Sequence, residues 1–211
     1  MSDQDSLAPI NSCRLQAMMD KLSTFGGGPD GSMTRLALSK EDGAARDWLG
    51  RWFAEHGFLE SVDSVGNQFG EIALAGANAP VIMVGSHIDS QPNGGRFDGA
   101  LGVISSCEAV LAVSEELKAE NTASACNFRV VNWTNEEGAR FQPSLLGSSV
   151  FTGSIELEWA LDRADGDGIT VRQALNEIGY AGKDNIPRPA ALIELHIEGD
   201  TPLFDAKETF G

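Results

Sequence analysis

Two histidines and three acidic residues stand at or near the ends of apolar segments in this sequence. His87 follows PVIMVGS, Glu136 and Glu137 follow NFRVVNWTN, and His196 follows ALIEL, while Asp98 lies across a short loop from His87. Imidazole nitrogens and carboxylate oxygens are ligands that zinc, manganese and cobalt accept. If the fold brings the ends of these segments together, the residue types predict a site for divalent metal ions.

The segment HIDSQPNGGRFDG carries three of the candidate groups. Its glycine-containing loop can fold back so that His87 and Asp98 point at one place, and Asp98 could bridge two metals through its two oxygens. Asp89 could accept the second ring N–H of His87 and so fix the tautomer of that ring. Taken alone, the segment fits a metal site and ordinary structural roles equally well. In the second case His87 would be a hydrogen-bonded loop histidine and Asp98 would cap the following helix.

The adjacent Glu136 and Glu137 would repel each other after a buried strand unless a cation or a proton separates their roles. One could bind a metal while the other takes a proton from an attacking water. A pair of solvated acids in a turn is the commoner explanation of such a pair on its own. His196 alone would be read as a hydrogen-bonded core or edge histidine, and His56 fits a helix C-terminus.

The hydrophobic pattern predicts the elements that must position these side chains. Helical spacing of apolar residues predicts helices near 13–22, from Ser39 to Gly57, from Asp98 to Leu111, and over 171–178. Alternating or continuous apolar runs predict strands in LESVDSV, QFGEIAL, PVIMVGS, NFRVVNWT and ALIEL. This order predicts a mixed or parallel sheet with helices on its faces. In such sheets ligands bind outside the carboxyl ends of strands, so the candidate residues are expected to meet there.

The composition argues against several classes of protein. Thirty-one acidic residues against 15 basic ones give a net charge of −16 over 211 residues, a field that repels nucleic acid and anionic membranes. No apolar run reaches the roughly 18 residues of a membrane span, and the first residues do not resemble a signal peptide. The three cysteines, Cys13, Cys107 and Cys126, lack metal-type spacing and are expected to be buried, reduced thiols. A cytoplasmic protein is expected, with residues 1–12 as a flexible tail.

Three segments together resemble one known family: GSHIDSQPNGGRFDGALGV, NWTNEEGARFQPSLLGS and ELHIE. They are similar to the motifs of the N-carbamoyl-L-amino-acid hydrolase, β-ureidopropionase and allantoate amidohydrolase group, within the dinuclear metallopeptidase superfamily that includes aminoacylases. The sequences GGRFDG and TNEEGARF favour the group of carbamoyl hydrolases over related peptidases and deacylases. The resemblance spans roughly residues 45–196. It implies an α/β fold of the aminopeptidase type, a three-layer α/β/α arrangement around a central mixed, largely parallel sheet.

The resemblance implies four metal ligands: His87, Asp98, Glu137 and His196. Asp98 would bridge the metals, Glu136 would be the general base, and Asp89 would orient His87. Two divalent ions, zinc or manganese first and cobalt or nickel as alternatives, would activate water for attack on a ureido or amide carbonyl. An N-carbamoyl amino acid, ureido acid or allantoate would be the small-molecule substrate. Carbamoyl substrates would yield an amine, carbon dioxide and ammonia.

Two departures from the family pattern leave alternatives open. Where the family usually reads His-Ile-Glu-Gln-Gly-Pro, this chain reads His-Ile-Glu-Gly-Asp-Thr from His196, and Gly199 replaces a glutamine of the substrate pocket. An N-acyl amino acid deacylase or dipeptidase with the same site is therefore the alternative enzyme. Family members are also about twice this long, adding a lid or dimerisation domain and a fifth, histidine ligand. Residues 13–211 are expected to be the N-terminal part of the catalytic domain of a homodimeric enzyme, or an inactive metal-binding fragment.

Overall fold

A computed structural model describes residues 9–198 and 205–207 of the chain. Within these residues the helices are α1 (Ser12–Leu22), α2 (Lys40–Glu55), α3 (Ala100–Ala119), α4 (Leu146–Thr152), α5 (Leu157–Leu161) and α6 (Val171–Ile178). The strands are β1 (Leu59–Val62), β2 (Gln68–Ile72), β3 (Val81–His87), β4 (Asn127–Trp133) and β5 (Ala191–Glu194). All five predicted strands are present. None of the helices in the described part of the chain is long and apolar enough to cross a membrane.

The five strands form one mixed sheet in the order β1-β2-β4-β3-β5. β3 pairs in parallel with both β4 and β5, whereas β2 pairs antiparallel with β1 and β4. The antiparallel β1–β2 hairpin thus extends a parallel group of three strands. Because β3, β4 and β5 run in the same direction, their carboxyl ends lie at one edge of the sheet, as the prediction required.

Helices cover both faces of this sheet. On one face Val130 of β4 and Ile72 of β2 belong to the core formed with α1, α2 and α3. On the other face the neighbouring Val131 and Trp133 pack with Phe151 of α4. Successive side chains of β4 point to opposite faces, which is the period of a strand buried on both sides. The predicted three-layer α/β/α architecture is confirmed.

Two short helices, α4 and α5, were not predicted. Their N-cap residues, Leu145 and Glu156, make no side-chain capping bond, so neither helix has a local start signal. Helices this short are not stable in isolation, and packing holds them. Leu146 of α4 and Ala160 of α5 are buried in one cluster with Phe141.

The expectation of three buried thiols is wrong for two of them. Cys107 is buried in α3, but Cys13 is exposed in the first turn of α1 and Cys126 is partly exposed. Cys13 lies on a helix that packs with only one side against the core, so a cysteine there does not have to be covered. Most of the predicted N-terminal tail, residues 1–8 of 1–12, and the departure at Gly199 lie outside the described residues.

A partly buried carboxyl in the turn between β1 and β2 predicts a dependence of stability on pH. Asp63 accepts hydrogen bonds from the backbone N–H of Val65 and from the backbone and side chain of Asn67, at 3.1, 2.9 and 2.8 Å. Burial outweighs these bonds and the charge of Arg46, and it raises the pKa of Asp63 from 3.8 to about 6. The folded state therefore holds this proton more tightly than the unfolded chain. The resulting stabilisation is complete below the unfolded pKa and is lost as pH rises through about 6.

The wild-type protein is therefore expected to gain stability relative to Asp63→Asn on acidification. The difference between their free energies of unfolding should grow by about 2 kcal/mol between about pH 7.5 and about pH 4. Hydrogen bonds lost in the variant contribute a constant offset that cancels in this comparison. Denaturant unfolding of both proteins at the two pH values measures the change. A difference that is equal at both values would contradict the raised pKa.

Candidate metal centre

The carboxyl ends of three parallel strands carry the predicted residues. His87 is the last residue of β3, and Glu136 and Glu137 lie just beyond the end of β4. His196 follows the end of β5 by two residues. Asp98 lies directly before Gly99, the N-cap of α3, and no side chain makes a capping bond at this helix start. The alternative role of Asp98 as a helix cap is therefore excluded.

The side chains of these residues converge. Nε2 of His87 lies 3.2 Å from Nε2 of His196 and 3.1 Å from a carboxylate oxygen of Glu136. Nε2 of His196 lies 3.7 Å from Oδ1 of Asp98. Two groups offer potential ligand atoms within 4.8 Å of one another: His87, Glu136 and His196, and His87, Asp98 and Glu137. The structure thus brings all five predicted residues into one cluster.

Asp89 joins the ends of β3 and β4 in a way that the sequence did not indicate. Its backbone carbonyl lies 2.9 Å from Nδ1 of His87, and its carboxylate lies 3.6 Å from the same nitrogen. The carboxylate also accepts the backbone N–H groups of Glu136 and Glu137, at 3.2 and 3.3 Å. When Nδ1 of His87 donates to Asp89, Nε2 is left as the nitrogen that faces the cluster.

The charges and burial in the cluster raise the pKa values of His87 and Glu136, so both groups tend to keep their protons. Burial on its own lowers the pKa of His87, but the hydrogen bond and charge of Asp89, with the charge of Glu136, outweigh it and raise that pKa to about 9. Burial raises the pKa of Glu136; the charge of His87 opposes this shift, and the charges of Asp89 and Glu137 add to it. Like charges at close range favour neutralisation, which either a proton or a bound cation provides.

One atom of the cluster tests whether a metal ion fits. Oε1 of Glu137 is buried and makes no hydrogen bond to any described group, while Oε2 accepts the side-chain amide of Gln91 at 2.8 Å. A buried carboxylate oxygen without a partner is costly, and a cation would satisfy it. Imidazole nitrogens and carboxylate oxygens together form a donor set for divalent transition metals. The residues present therefore fit a metal centre.

Comparison with known proteins shows what the chain is similar to. The domain described as Peptidase family M28 matches residues 70–166. An amidase of the hydantoinase/carbamoylase family from Burkholderia ambifaria has a solved structure that superposes with a TM-score of 0.89 and 38% identity, covering 98% of this chain and 50% of that one. Over nearly its whole length the chain is similar to amidases of the hydantoinase/carbamoylase family.

Curated relatives of the chain agree with the motif resemblance, which is confirmed. An N-carbamoyl-L-amino-acid amidohydrolase of Rhizobium meliloti is 36% identical over 201 residues, covering 94% of this chain and 47% of its own length. An allantoate amidohydrolase of Bacillus subtilis is 35% identical over 184 residues, covering 84% of this chain and 43% of its own. The chain spans about half the length of the curated relatives it matches.

Two residues of the candidate metal centre were not singled out from the sequence. Gln91 contacts Glu137, and Gly99 has a positive φ of 60° and lies against the ring of His87. A Cβ atom on Gly99 would collide with that ring. The only signal in the sequence was the position of both residues inside the motif SQPNGGRFDG, where glycine has several possible roles.

Replacement of Gly99 with alanine is expected to weaken binding of divalent metal to the candidate metal centre by about 10-fold or more, because the added methyl group displaces the ring of His87. Gly57→Ala is the matched control, since Gly57 also has a positive φ, 79°, but open space around its missing Cβ. Both variants lose stability through backbone strain. Calorimetric titration should show a loss of metal affinity for Gly99→Ala and not for Gly57→Ala. Equal metal affinities of the two variants would contradict the proposed effect of Gly99 on His87.

Proposed function

We propose that the protein is a metal-dependent amidohydrolase that cleaves a linear C–N bond of N-carbamoyl amino acids, ureido acids or allantoate. The observation that carries this proposal is the convergence of two histidines and three carboxylates at the ends of three parallel strands. The names of the N-carbamoyl amino acid and allantoate amidohydrolases among its relatives support the substrate class.

In this proposal four side chains hold two divalent ions: His87, Asp98, Glu137 and His196. Zinc or manganese is proposed first, with cobalt or nickel as alternatives, because nitrogen and oxygen ligands accept all four. Bound ions supply Lewis acidity to the scissile carbonyl and to the attacking water. Asp98 belongs to one group of potential ligands and lies 3.7 Å from Nε2 of His196 in the other group, and it is proposed as the residue that would bridge the two ions.

Glu136 is proposed as the general base. Its side chain is mostly buried, and its carboxylate faces the cluster, 3.1 Å from Nε2 of His87. Burial raises the pKa of Glu136, which moves the carboxyl toward the range where it can take a proton from water and then return it to the leaving nitrogen. Asp89 is proposed to orient His87 and to hold the backbone of Glu136 in place.

The remaining proposals concern the whole protein. Residues 13–211 are proposed to form the N-terminal part of the catalytic domain, since relatives of about twice the length match nearly the whole of this chain. A homodimer in the full-length protein is proposed from the family resemblance. A cytoplasmic location is proposed because all three cysteines are free thiols.

A panel of substrates tests the proposed reaction. The purified protein, loaded with manganese or zinc, is incubated with N-carbamoyl amino acids, allantoate and N-acetyl amino acids. Release of ammonia from the carbamoyl or ureido compounds is the expected result. Cleavage of the acetyl compounds alone would replace this function with that of a deacylase. Bound metal with no hydrolysis of any compound would contradict the proposed activity.

A further inference from the structure

We propose that Gln91 is a positioning residue for Glu137, and that its amide decides which oxygen of this carboxylate faces the metal centre. The inference rests on the proposed function, because it concerns how a proposed ligand is held. Gln91 is exposed in the loop between β3 and α3, and it belongs to neither group of potential ligands.

The contact between the two residues leaves one oxygen of Glu137 free. Nε2 of Gln91 lies 2.8 Å from Oε2 of Glu137 and 3.4 Å from its backbone oxygen. Oε1 is buried without a hydrogen-bond partner among the described residues. Glu137 also offers an oxygen within 4.8 Å of ligand atoms on His87 and Asp98. With Oε2 held by the amide, Oε1 is the oxygen of Glu137 that would be available to a metal ion.

The loop that carries Gln91 is fixed independently of its side chain. Ser90 exchanges two hydrogen bonds with Arg35, from its N–H to the backbone oxygen and from the Arg35 N–H to its hydroxyl, both at 2.9 Å. Gly94 exchanges two backbone hydrogen bonds with Met33, at 2.8 and 2.9 Å. Gln91 thus projects from a segment that is tied down on both sides. Its exposed side chain can be changed without removing these bonds.

Because the side chain of Gln91 is an uncharged amide, its hydrogen-bonding effect on Glu137 can be distinguished from an effect of local charge on cation binding. The Gln91 amide donates a hydrogen to a carboxylate and adds no charge, whereas a glutamate at this position would offer only acceptor oxygens to Glu137. If the local charge alone governed cation binding, Gln91→Glu would strengthen it. If the donated hydrogen bond governs it, Gln91→Glu turns Glu137 away and weakens binding. The two explanations therefore predict opposite changes in the cation affinity of Gln91→Glu.

Titration of the metal-free protein with manganese by calorimetry is the test. Gln91→Met and Gln91→Glu are both expected to bind manganese about 10- to 100-fold more weakly than the wild type. The midpoint of thermal unfolding of the metal-free variants should stay unchanged. Gln16 provides matched controls, Gln16→Met and Gln16→Glu, because its amide donates to an exposed carboxylate, that of Asp20, outside both groups of potential ligands.

The outcomes distinguish this inference from the proposed function. Wild-type affinity in both Gln91 variants, or tighter binding by Gln91→Glu, would overturn the positioning role while leaving the metal centre intact. Equal losses in the Gln16 and Gln91 variants would also overturn it, because the effect would then not depend on contact with Glu137. A wild-type protein that binds no manganese, zinc or cobalt would overturn the proposed metal centre and this inference with it.

Discussion

Replacement of Glu136 with glutamine is expected to lower turnover of a carbamoyl substrate by about 100- to 10,000-fold while divalent metal stays bound. Glutamine fills the same space as glutamate, but its amide cannot take a proton from water. Glu136 is proposed as the base and not as a ligand, so the four proposed ligands remain in this variant. Loss of activity with retained metal is therefore the specific signature of its role.

Steady-state rates and bound metal, measured by mass spectrometry on the same preparations, test this prediction. Glu177→Gln is a suitable control, because it makes the same change of charge at an exposed position of α6. The control is expected to keep wild-type turnover and metal content. Undiminished hydrolysis by Glu136→Gln would rule out this residue as the base. Loss of metal together with activity would instead make Glu136 a ligand.

Replacement of Arg46 with methionine is expected to destabilise the fold by about 3–5 kcal/mol, because it leaves a buried carboxylate without its counter-charge. Arg46 and Asp42 are both fully buried in α2, with Nε 2.9 Å from a carboxylate oxygen. The guanidinium also donates to the backbone oxygen of Gly66 at 2.6 Å and to the hydroxyl of Thr134 at 3.3 Å. Thr134 directly follows β4, so the lost contacts reach the loop that carries Glu136.

Denaturant unfolding of the variants measures this effect. Arg172→Met is the control, because its ion pairs with Glu158 and Asp162 are exposed and surface pairs contribute at most about 1 kcal/mol. Adding Asp42→Asn to Arg46→Met removes the uncompensated charge and should recover part of the stability. A loss below about 1 kcal/mol for Arg46→Met would show that water or another group compensates Asp42.

Local patterns in the sequence were sufficient to predict most of the fold. Strand β3 is a continuous apolar run, and Ser39 is the N-cap of α2, where its side chain accepts the N–H of Asp42 as its sequence position suggested. Parallel strands place their ends together, so the cluster of His87 and His196 followed from the order of elements. The short helices α4 and α5 escaped prediction because packing, and not a capping residue, determines where they begin.

Contacts within the site were less predictable than its residues. Asp89 was expected beside the ring of His87, but its bonds to the backbone of Glu136 and Glu137 depend on the register between β3 and β4. The contact from Gln91 to Glu137 depends on how the loop between β3 and α3 is anchored. Such long-range contacts leave no periodic signal in the sequence. The residues of the cluster could be predicted, whereas the contacts of Asp89 and Gln91 with Glu136 and Glu137 could not.

The most direct test of the central claim is the number of divalent ions that the protein binds. Equilibrium dialysis against manganese, followed by metal analysis by mass spectrometry, gives this number for the wild type and for the double variant His87→Ala/Asp98→Ala. The proposed centre predicts about two ions per chain in the wild type and a loss of both in the variant, since His87 belongs to both groups of potential ligands and Asp98 is the proposed bridging residue. A wild type without bound metal, or a variant that binds as many ions as the wild type, would contradict the claim.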